Sequence, residues 1–299
     1  MNYKSLIPNQ ELRLSLLKVT EFIPDKQMIK LQYKIATGRK LDLINPRRFT
    51  EKLQWYKLYY RDSRMTKSAD KYQVREYIVS KGYKEILVPL YGVYEKVEEI
   101  DFDTFPNSFV LKTTNGSQTN IICEDKSKLD LDSVKKTLNS WLFKRTSKAG
   151  REWPYYNIMP RIICEEYLPK DDNGNMVDYK FVCFEGKVAY VFVNTDRSFD
   201  GGLRFGIYNE KFEKLPYGRK GLKKTTDSII KPINYEKMIE IAEALSKDFP
   251  HVRIDLYNIE GKIYFGEMTF FHGSGYVEFE PDEFDYILGE KFKVPLLKS

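Results

Sequence analysis

Asp255 and Glu267 stand in two apolar runs, Val252–Tyr257 and Lys262–Thr269, that read as the strands of a hairpin. A three-residue loop, Ile259-Glu-Gly261, with Gly261 in the left-handed position, pairs Asp255 with Phe265. Glu267 then lies on the same face, one diagonal away, roughly 7–8 Å distant. Two carboxylates so placed can share one or two Mg²⁺ ions, which want hard oxygens and leave much of their shell to phosphates. Each has apolar neighbours, and an unpaired buried carboxylate is costly. The competing reading puts both on the wet side of a half-buried hairpin, and on this hairpin alone it leads.

Lys112 closes a second apolar run, Ser108–Thr113, and Thr114-Asn-Gly-Ser-Gln-Thr119 follows it. An ammonium beside a loop of small residues suits phosphates, with the lysine supplying charge and the loop N–H groups direction. The loop is not the Gly-x-x-x-x-Gly-Lys-Ser/Thr pattern that opens a helix. By itself the lysine reads more readily as a solvated strand end. In Arg161–Leu168 an apolar strand ends on polar residues, offering backbone groups to a base edge, and Asp178 follows as an acceptor for sugar hydroxyls. An ordinary strand end is again the simpler reading of that segment alone.

The elements that must position these residues are legible in part. Residues 9–60 read mainly as helices, with Asn45-Pro46 as a helix start leading into Phe49, Leu53, Tyr56 and Tyr60. A further helix is expected over Lys67–Lys81, stopped by Gly82. Asn120–Glu124 is the expected hairpin partner of Ser108–Thr113. Asp132 is the expected cap of a helix carrying Val134, Leu138 and Leu142. The strand Arg161–Leu168 ends at Pro169 and a turn, Asp171-Asp-Asn-Gly174. Tyr179–Phe184 and Lys187–Asn194 form a hairpin across Glu185-Gly186. Asn234 is the expected cap of a helix with Met238, Ile241, Ala242 and Leu245 on one face. Residues 197–232, rich in Gly, Lys and Pro, resist assignment.

Composition narrows the classes. The 299 residues suffice for one large or two modest domains. The net charge of +6 is spread without blocks, which suits an anionic small ligand and argues against a nucleic-acid groove. The aromatic share of 15% reads first as core packing, ahead of a stacking surface. Cys123, Cys164 and Cys183 are far apart in apolar runs, so they read as reduced core thiols. No signal-like segment opens the sequence and no run approaches a membrane span, so a cytoplasmic protein is expected.

In order and rough spacing, these pieces resemble the ATP-grasp superfamily, and more closely its TupA-like branch. The resembling segments are Asn45-Pro-Arg-Arg-Phe-Thr-Glu-Lys-Leu-Gln-Trp55, Ala69-Asp-Lys-Tyr-Gln-Val-Arg-Glu-Tyr77, Phe109-Val-Leu-Lys112 with Asn115-Gly-Ser117, and Gly150-Arg-Glu-Trp-Pro154. They continue with Arg161-Ile-Ile-Cys-Glu-Glu-Tyr-Leu168, Asp178-Tyr-Lys-Phe181, Phe249-Pro-His-Val-Arg-Ile-Asp-Leu-Tyr257, and Tyr264-Phe-Gly-Glu-Met-Thr-Phe270 with Gly273-Ser-Gly275. No single motif decides, but eight in register along one chain carry weight.

The resemblance implies an α+β ATP-grasp fold whose two subdomains clasp ATP. It implies a helical N-terminal extension over residues 1–65 and an ATP-grasp domain over 66–299, divided into subdomains of about 66–168 and 169–299. Carried over by residue, Lys71 and Lys112 contact the ATP phosphates, and Asn115, Gly116 and Ser117 form the loop over them. Glu165, Glu166, Tyr167 and Leu168 are the hinge against adenine, and Asp178 holds ribose. Asp255, Glu267 and Thr269 take Mg²⁺, and Arg253, with Lys112, acts on the transferring phosphoryl group. Many ATP-grasp enzymes have Asn where this chain has Thr269, a weaker ligand. A Rossmann-like domain usually precedes the clasp, whereas here about 65 mostly helical residues do.

The implied reaction is amide formation through an acyl phosphate, with a carboxylate acceptor and an amine. The implied setting is bacterial capsule, teichuronopeptide or lipopolysaccharide synthesis, with no nucleic-acid partner and with peripheral association with a lipid-linked glycan left open. Trp55, Trp153, Arg47 and Arg48 are candidates for holding an anionic glycan, against a leading reading of packing and a solvated face. The alternative function is a sugar kinase or a glycosyltransferase, although no separate base for a kinase stands out. The acceptor, the amine and the oligomeric state stay open.

Overall fold

A computed structural model describes residues 20–116, 119–143, 148–169, 176–195, 202–226 and 229–295. The chain divides into two compact units. The larger takes Met1–Asp62, Lys148–Glu152 and Lys170–Ser299, and the smaller takes Ser63–Ser147 and Trp153–Pro169.

Helices α1 (Asp25–Thr37) and α2 (Phe49–Tyr59) belong to the larger unit. α1 buries Met28, Ile29 and Tyr33. α2 is enclosed on several sides, with Phe49, Leu53 and Tyr56 buried together with Lys57. The helix does not start at Asn45-Pro46. Asp42 draws the N–H groups of Ile44 and Asn45 into a turn of its own, at 2.9 and 3.0 Å. Glu51 then reaches back to accept the N–H groups of Arg47 and Arg48, each at 3.0 Å, and Asp285 accepts the Thr50 N–H of the first turn at 3.0 Å.

In the smaller unit the single helix expected over Lys67–Lys81 is two helices, α3 (Ser63–Ala69) and α4 (Val74–Ser80). Asp70 causes the break. Its carboxylate accepts the N–H groups of Tyr72 and Gln73 at 2.7 and 3.1 Å, and this local turn competes with continued helix. Strands β1 (Leu90–Tyr94), β2 (Phe109–Thr113) and β3 (Asn120–Cys123), helix α5 (Leu131–Phe143) and strand β4 (Ile162–Glu166) complete the unit. The sheet is antiparallel in the order β1-β4-β2-β3. Alternation along β2 and β4 sends Phe109, Leu111, Ile162 and Cys164 into the core with Val134 and Leu138 of α5. The opposite face keeps Lys112 and Glu165. The cap of α5 is Asp130, whose carboxylate takes the Ser133 N–H at 3.1 Å. α5 begins earlier than expected, so Asp132 lies inside its first turn.

The chain returns to the larger unit through β5 (Asp178–Phe184), β6 (Lys187–Thr195) and β7 (Arg204–Asn209), then the short β8 (Gly218–Arg219) and β9 (Lys223–Lys224). Helix α6 (Tyr235–Ser246), strands β10 (His251–Ile259), β11 (Lys262–Thr269) and β12 (Phe279–Glu280), and helix α7 (Glu283–Lys291) follow. Six strands form one sheet in the order β11-β10-β5-β6-β7-β9, and β12 pairs with β8. α6 lays Met238, Ile241, Ala242 and Leu245 into the core. Asn234 sits ahead of it in the left-handed region, and its side-chain amide donates to the Gly261 carbonyl at 2.8 Å instead of capping the helix. The aromatic surplus is core: Phe49, Phe181, Phe192, Phe205, Phe249, Phe270 and Phe271 are all fully buried. Cys123, Cys164 and Cys183 are free and buried.

The β10–β11 hairpin departs from expectation where it matters most. Ile259 pairs with Lys262, so the loop has two residues, Glu260 and Gly261, with φ of +52° and +86°. Two successive positive φ values make the turn whose twist suits a hairpin, and glycine accepts the second without steric cost. A bulge between Asp255 and Leu256 on the pairing ladder then restores the spacing. Leu256 faces Phe265, and Asp255 lies directly opposite Glu267 instead of diagonal to it.

Candidate active site

Alternation along β10 puts Arg253 and Asp255 on one face of the sheet, while Val252, Ile254 and Leu256 turn to the other. β11 brings Glu267 opposite Asp255 and Thr269 opposite Arg253, and β5 brings Lys180 opposite Asp255 from the other side. Three adjacent strands therefore converge five charged or polar side chains on one patch of sheet.

Their hydrogen bonds form a closed pattern. Arg253 Nε donates to Asp255 Oδ1 at 2.6 Å and its Nη2 to Oδ2 at 2.7 Å. The same Nη2 reaches Glu267 Oε1 at 3.1 Å and Thr269 Oγ1 at 3.0 Å. Thr269 in turn donates its hydroxyl to Glu267 Oε1 at 3.1 Å. Lys180 Nζ bridges Asp255 Oδ2 at 2.5 Å and Asp178 Oδ2 at 2.9 Å. Burial pushes the Asp255 carboxyl up, but the charges and hydrogen bonds of Arg253 and Lys180 outweigh it and hold the group below its usual range.

Arg253 Nη1 also donates to His272 Nδ1. A guanidinium can only donate, so Nδ1 is the unprotonated nitrogen and the imidazole proton is on Nε2. Burial, and then the charge of Arg253, keep His272 from gaining a second proton.

This donor set fits Mg²⁺. A carboxylate offers about four lone-pair directions. Asp255 already accepts from three N–H groups, which leaves one, while the Glu267 side chain is 46% exposed and accepts only at Oε1. Two facing carboxylates and a hydroxyl suit an ion that completes its shell with phosphate and water. Among the described residues no group of three or more His, Cys, Asp or Glu side chains is placed to hold a metal alone, so phosphate and water would complete the shell of an ion held by Asp255 and Glu267.

The smaller unit carries the other expected residues. Lys112 Nζ pairs with Glu165 Oε2 at 2.8 Å, and Arg75 Nη1 meets the other oxygen at 3.3 Å. Lys112 faces Ile163 across the ladder and Val110 faces Glu165, so the ion pair is a same-face diagonal. Lys71 lies in the turn that Asp70 makes; its N–H donates to Thr114 O and its Nζ to Gly116 O. Asn115 is buried between them in sequence and Ser117 lies outside the described residues. Glu166 ties its N–H to Pro89 O at 2.9 Å, Tyr167 donates its hydroxyl to Glu124 at 3.1 Å, and Leu168 is buried.

Two of the glycan candidates, Arg48 and Trp55, are engaged in packing contacts, the leading reading of the sequence. Arg48 is engaged by Asp282 at 2.7 Å and stacks over Tyr286, with its guanidinium 4.1 Å from the ring centre. Trp55 is buried beside Tyr59. Both side chains serve packing of α2 against its surroundings. Reading the sequence also left three charged groups unassigned. Lys180 was findable, because strand alternation from Asp178 puts it on the same face. Lys57 and Glu152 were not, since they meet only through the loop His272–Gly275: Lys57 Nζ donates to the carbonyls of Gly150 and Ser274, each at 2.9 Å, and Ser274 Oγ donates to Glu152.

A family model described as TupA-like ATPgrasp matches residues 51–293. The chain belongs to the TupA-like ATP-grasp family. The ATP-grasp fold, an α+β architecture, is thereby the fold of this TupA-like chain. Solved structures similar to it include a D-alanine–D-alanine ligase from Bacillus anthracis complexed with ATP, at 17% identity and a TM-score of 0.42, covering 68% of this chain and 54% of that one. A D-alanine–D-alanine ligase from Helicobacter pylori matches at 14% identity and 0.40, covering 76% and 61%. A RimK domain ATP-grasp protein from Sphaerobacter thermophilus matches at 11% and 0.42, covering 78% and 70%. The TupA-like chain thus spans 54% and 61% of the lengths of the two D-alanine–D-alanine ligases. No curated protein matches it. Among the described residues no helix is long and apolar enough to cross a membrane.

Proposed function

We propose that this TupA-like protein is an ATP- and Mg²⁺-dependent carboxylate–amine ligase. The observation that carries the reading is the Arg253–Asp255–Glu267 cluster, a buried guanidinium set between facing carboxylates in a chain of ATP-grasp type. Phosphoryl transfer asks for alignment and charge stabilisation more than for covalent help from the protein, and such a cluster supplies both.

In this reading Asp255 and Glu267, with Thr269 as the weaker third ligand, hold Mg²⁺, and the ion neutralises phosphate charge when bound. Lys71 and Lys112 bind ATP phosphates, with Asn115, Gly116 and Ser117 as the loop over them. Glu165–Leu168 lie against adenine and Asp178 takes ribose hydroxyls. Lys180, between Asp178 and Asp255, orients both carboxylates. Arg253, fixed by Asp255 and His272, faces the transferring phosphoryl group. A carboxylate oxygen of the acceptor attacks the γ-phosphorus and ADP leaves. An amine then attacks the acyl carbon, inorganic phosphate leaves, and the amine nitrogen loses a proton.

The acceptor is proposed to be a uronic-acid or amino-acid carboxylate of a bacterial surface polymer (capsule, teichuronopeptide or lipopolysaccharide), modified in the cytoplasm. The test is product analysis with ATP, Mg²⁺, pooled uronic acids and amines. ADP and phosphate released only when both a carboxylate and an amine are present support the ligase. A phosphorylated hydroxyl, or turnover of a sugar nucleotide without ATP cleavage, would replace it with the kinase or the glycosyltransferase.

A further inference from the structure

Arg219 is a charged group of the larger unit that the cluster above does not use. It lies on β8, directly opposite Phe279 of β12. Directly opposed residues in an antiparallel pair project to the same face. The Phe279 ring packs on Phe192, with centroids 6.0 Å apart, and Phe192 packs on His272 at 5.3 Å. The Arg219 side chain thus leaves its strand on the face that leads through Phe192 to His272. It is half-buried, yet among the described residues no hydrogen bond or ion pair engages its guanidinium.

His272 presents the complementary feature. Its Nδ1 is occupied by Arg253, so Nε2 carries the proton, and that buried nitrogen has no acceptor among the described residues. A buried donor left unmatched costs roughly 1–3 kcal/mol, so the site is built for something that accepts. Burial lowers the hold of Arg219 on its proton, and the charge of Arg253 lowers it further. Two neighbouring guanidinium groups are tolerable when an anion lies by them. Arg253 is already matched by Asp255, whereas Arg219 is not.

We propose that Arg219 and His272 Nε2–H form the binding site for the reacting carboxylate of the acceptor. The inference rests on the ligase reading above. A guanidinium takes a carboxylate through two parallel N–H donors, and the imidazole N–H adds a third. The place is also the one that the reaction needs: beside Arg253, so that a carboxylate oxygen comes within reach of the phosphoryl group that Arg253 faces. The phosphates already have Lys71, Lys112, Arg253 and Mg²⁺ assigned to them, while the carboxylate has no other cation.

The test is calorimetric titration of the full chain in two steps, first with Mg²⁺ and AMP-PNP, then with D-glucuronate and with L-glutamate as carboxylate probes. Arg219→Ala is expected to weaken probe binding at least tenfold while the nucleotide Kd stays within twofold. Arg219→Lys, which keeps charge without the fork, is expected to fall between, and it also serves if the alanine variant fails to fold. His272→Phe, which keeps a ring against Phe192, is expected to weaken the probes as well. Wild-type protein that binds the nucleotide but neither carboxylate overturns the inference. So does a loss in Arg219→Ala that falls on the nucleotide, which would make Arg219 a phosphate residue. Wild-type protein that binds no nucleotide sinks the ligase reading itself, and the first titration reads that separately.

Discussion

Arg253 holds both oxygens of Asp255, two residues along the same strand, at 2.6 and 2.7 Å, and both side chains are buried. The pair is neutral only as a unit. Lys180 adds a second cation to Asp255 and Glu267 a second anion to Arg253, so changing one member leaves its neighbours exposed to one another inside the protein.

Asp255→Asn is therefore expected to cost both activity and stability. Removing one partner of a buried ion pair costs about 3–5 kcal/mol, because the charge left behind is uncompensated. Denaturant unfolding should show a loss of that order, and ATP turnover should fall by more than about a hundredfold, some 2.7 kcal/mol of transition-state stabilisation. Turnover that survives in a folded Asp255→Asn variant would remove Asp255 from the site.

Lys112 and Glu165 offer a cleaner separation of binding from folding. Lys112→Met takes away a charge-assisted hydrogen bond of about 1.5–3 kcal/mol to a phosphate, so KM for ATP should rise about tenfold or more. Glu165 keeps Arg75 as partner, and the melting temperature should move little. Steady-state kinetics with varied ATP and a melting curve check the two halves; an unchanged KM would return Lys112 to a merely structural strand end.

Lys57 gives a pH signature. Burial lowers its ammonium to about 8, against an ordinary value of 10.5, and the nearby Glu152 charge offsets this only in part. The unfolded chain binds this proton more tightly than the folded one does. Stability should therefore rise with pH between about 8 and 10.5, by about 3.5 kcal/mol at about 1.4 kcal/mol per unit, and the penalty should be full below 8. The difference in unfolding free energy between wild type and Lys57→Met, followed across that window, isolates the term. A flat difference would show that the lysine titrates normally.

Gly275 tests the loop that Lys57 pins. Its φ is +70°, and an added Cβ would come within 3.1 Å of Leu53 Cβ and closer still to the Gln54 amide. Gln54 Nε2 holds the carbonyls of Ser274 and Gly275 at 3.0 and 2.9 Å. Gly275→Ala combines a left-handed backbone with this clash and should destabilise by about 1–3 kcal/mol, measured by denaturant unfolding. Retained stability would mean that the His272–Gly275 loop can move away from α2.

The three hairpins and the residues that alternate on them were legible, because strand periodicity fixes which side chains share a face, whereas the strands Leu90–Tyr94 and Arg204–Asn209 were not expected. Periodicity is why Asp255 and Glu267 share a face, while Arg253 and Thr269 were implied only by the family resemblance. Local competition was harder to read. Asp70 breaks a helix whose apolar spacing looked continuous, Glu51 and Asp130 take over caps assigned to Asn45 and Asp132, and a bulge converts a diagonal pair into a direct one. Each of these turns on one or two local hydrogen bonds or one extra residue, for which a periodic pattern has no signal. Arg219, Lys57 and Glu152 were out of reach for another reason: they depend on contacts far apart in sequence.

The central claim is that a carboxylate of the acceptor becomes an acyl phosphate. The most direct measurement supplies ATP, Mg²⁺, an amine pool and uronic and amino acids labelled with ¹⁸O in the carboxyl group, and reads the released phosphate by mass spectrometry. The account predicts inorganic phosphate that carries one ¹⁸O atom, formed only in the presence of the amine. Unlabelled phosphate, or label retained wholly in the acceptor while ATP is consumed, would contradict it.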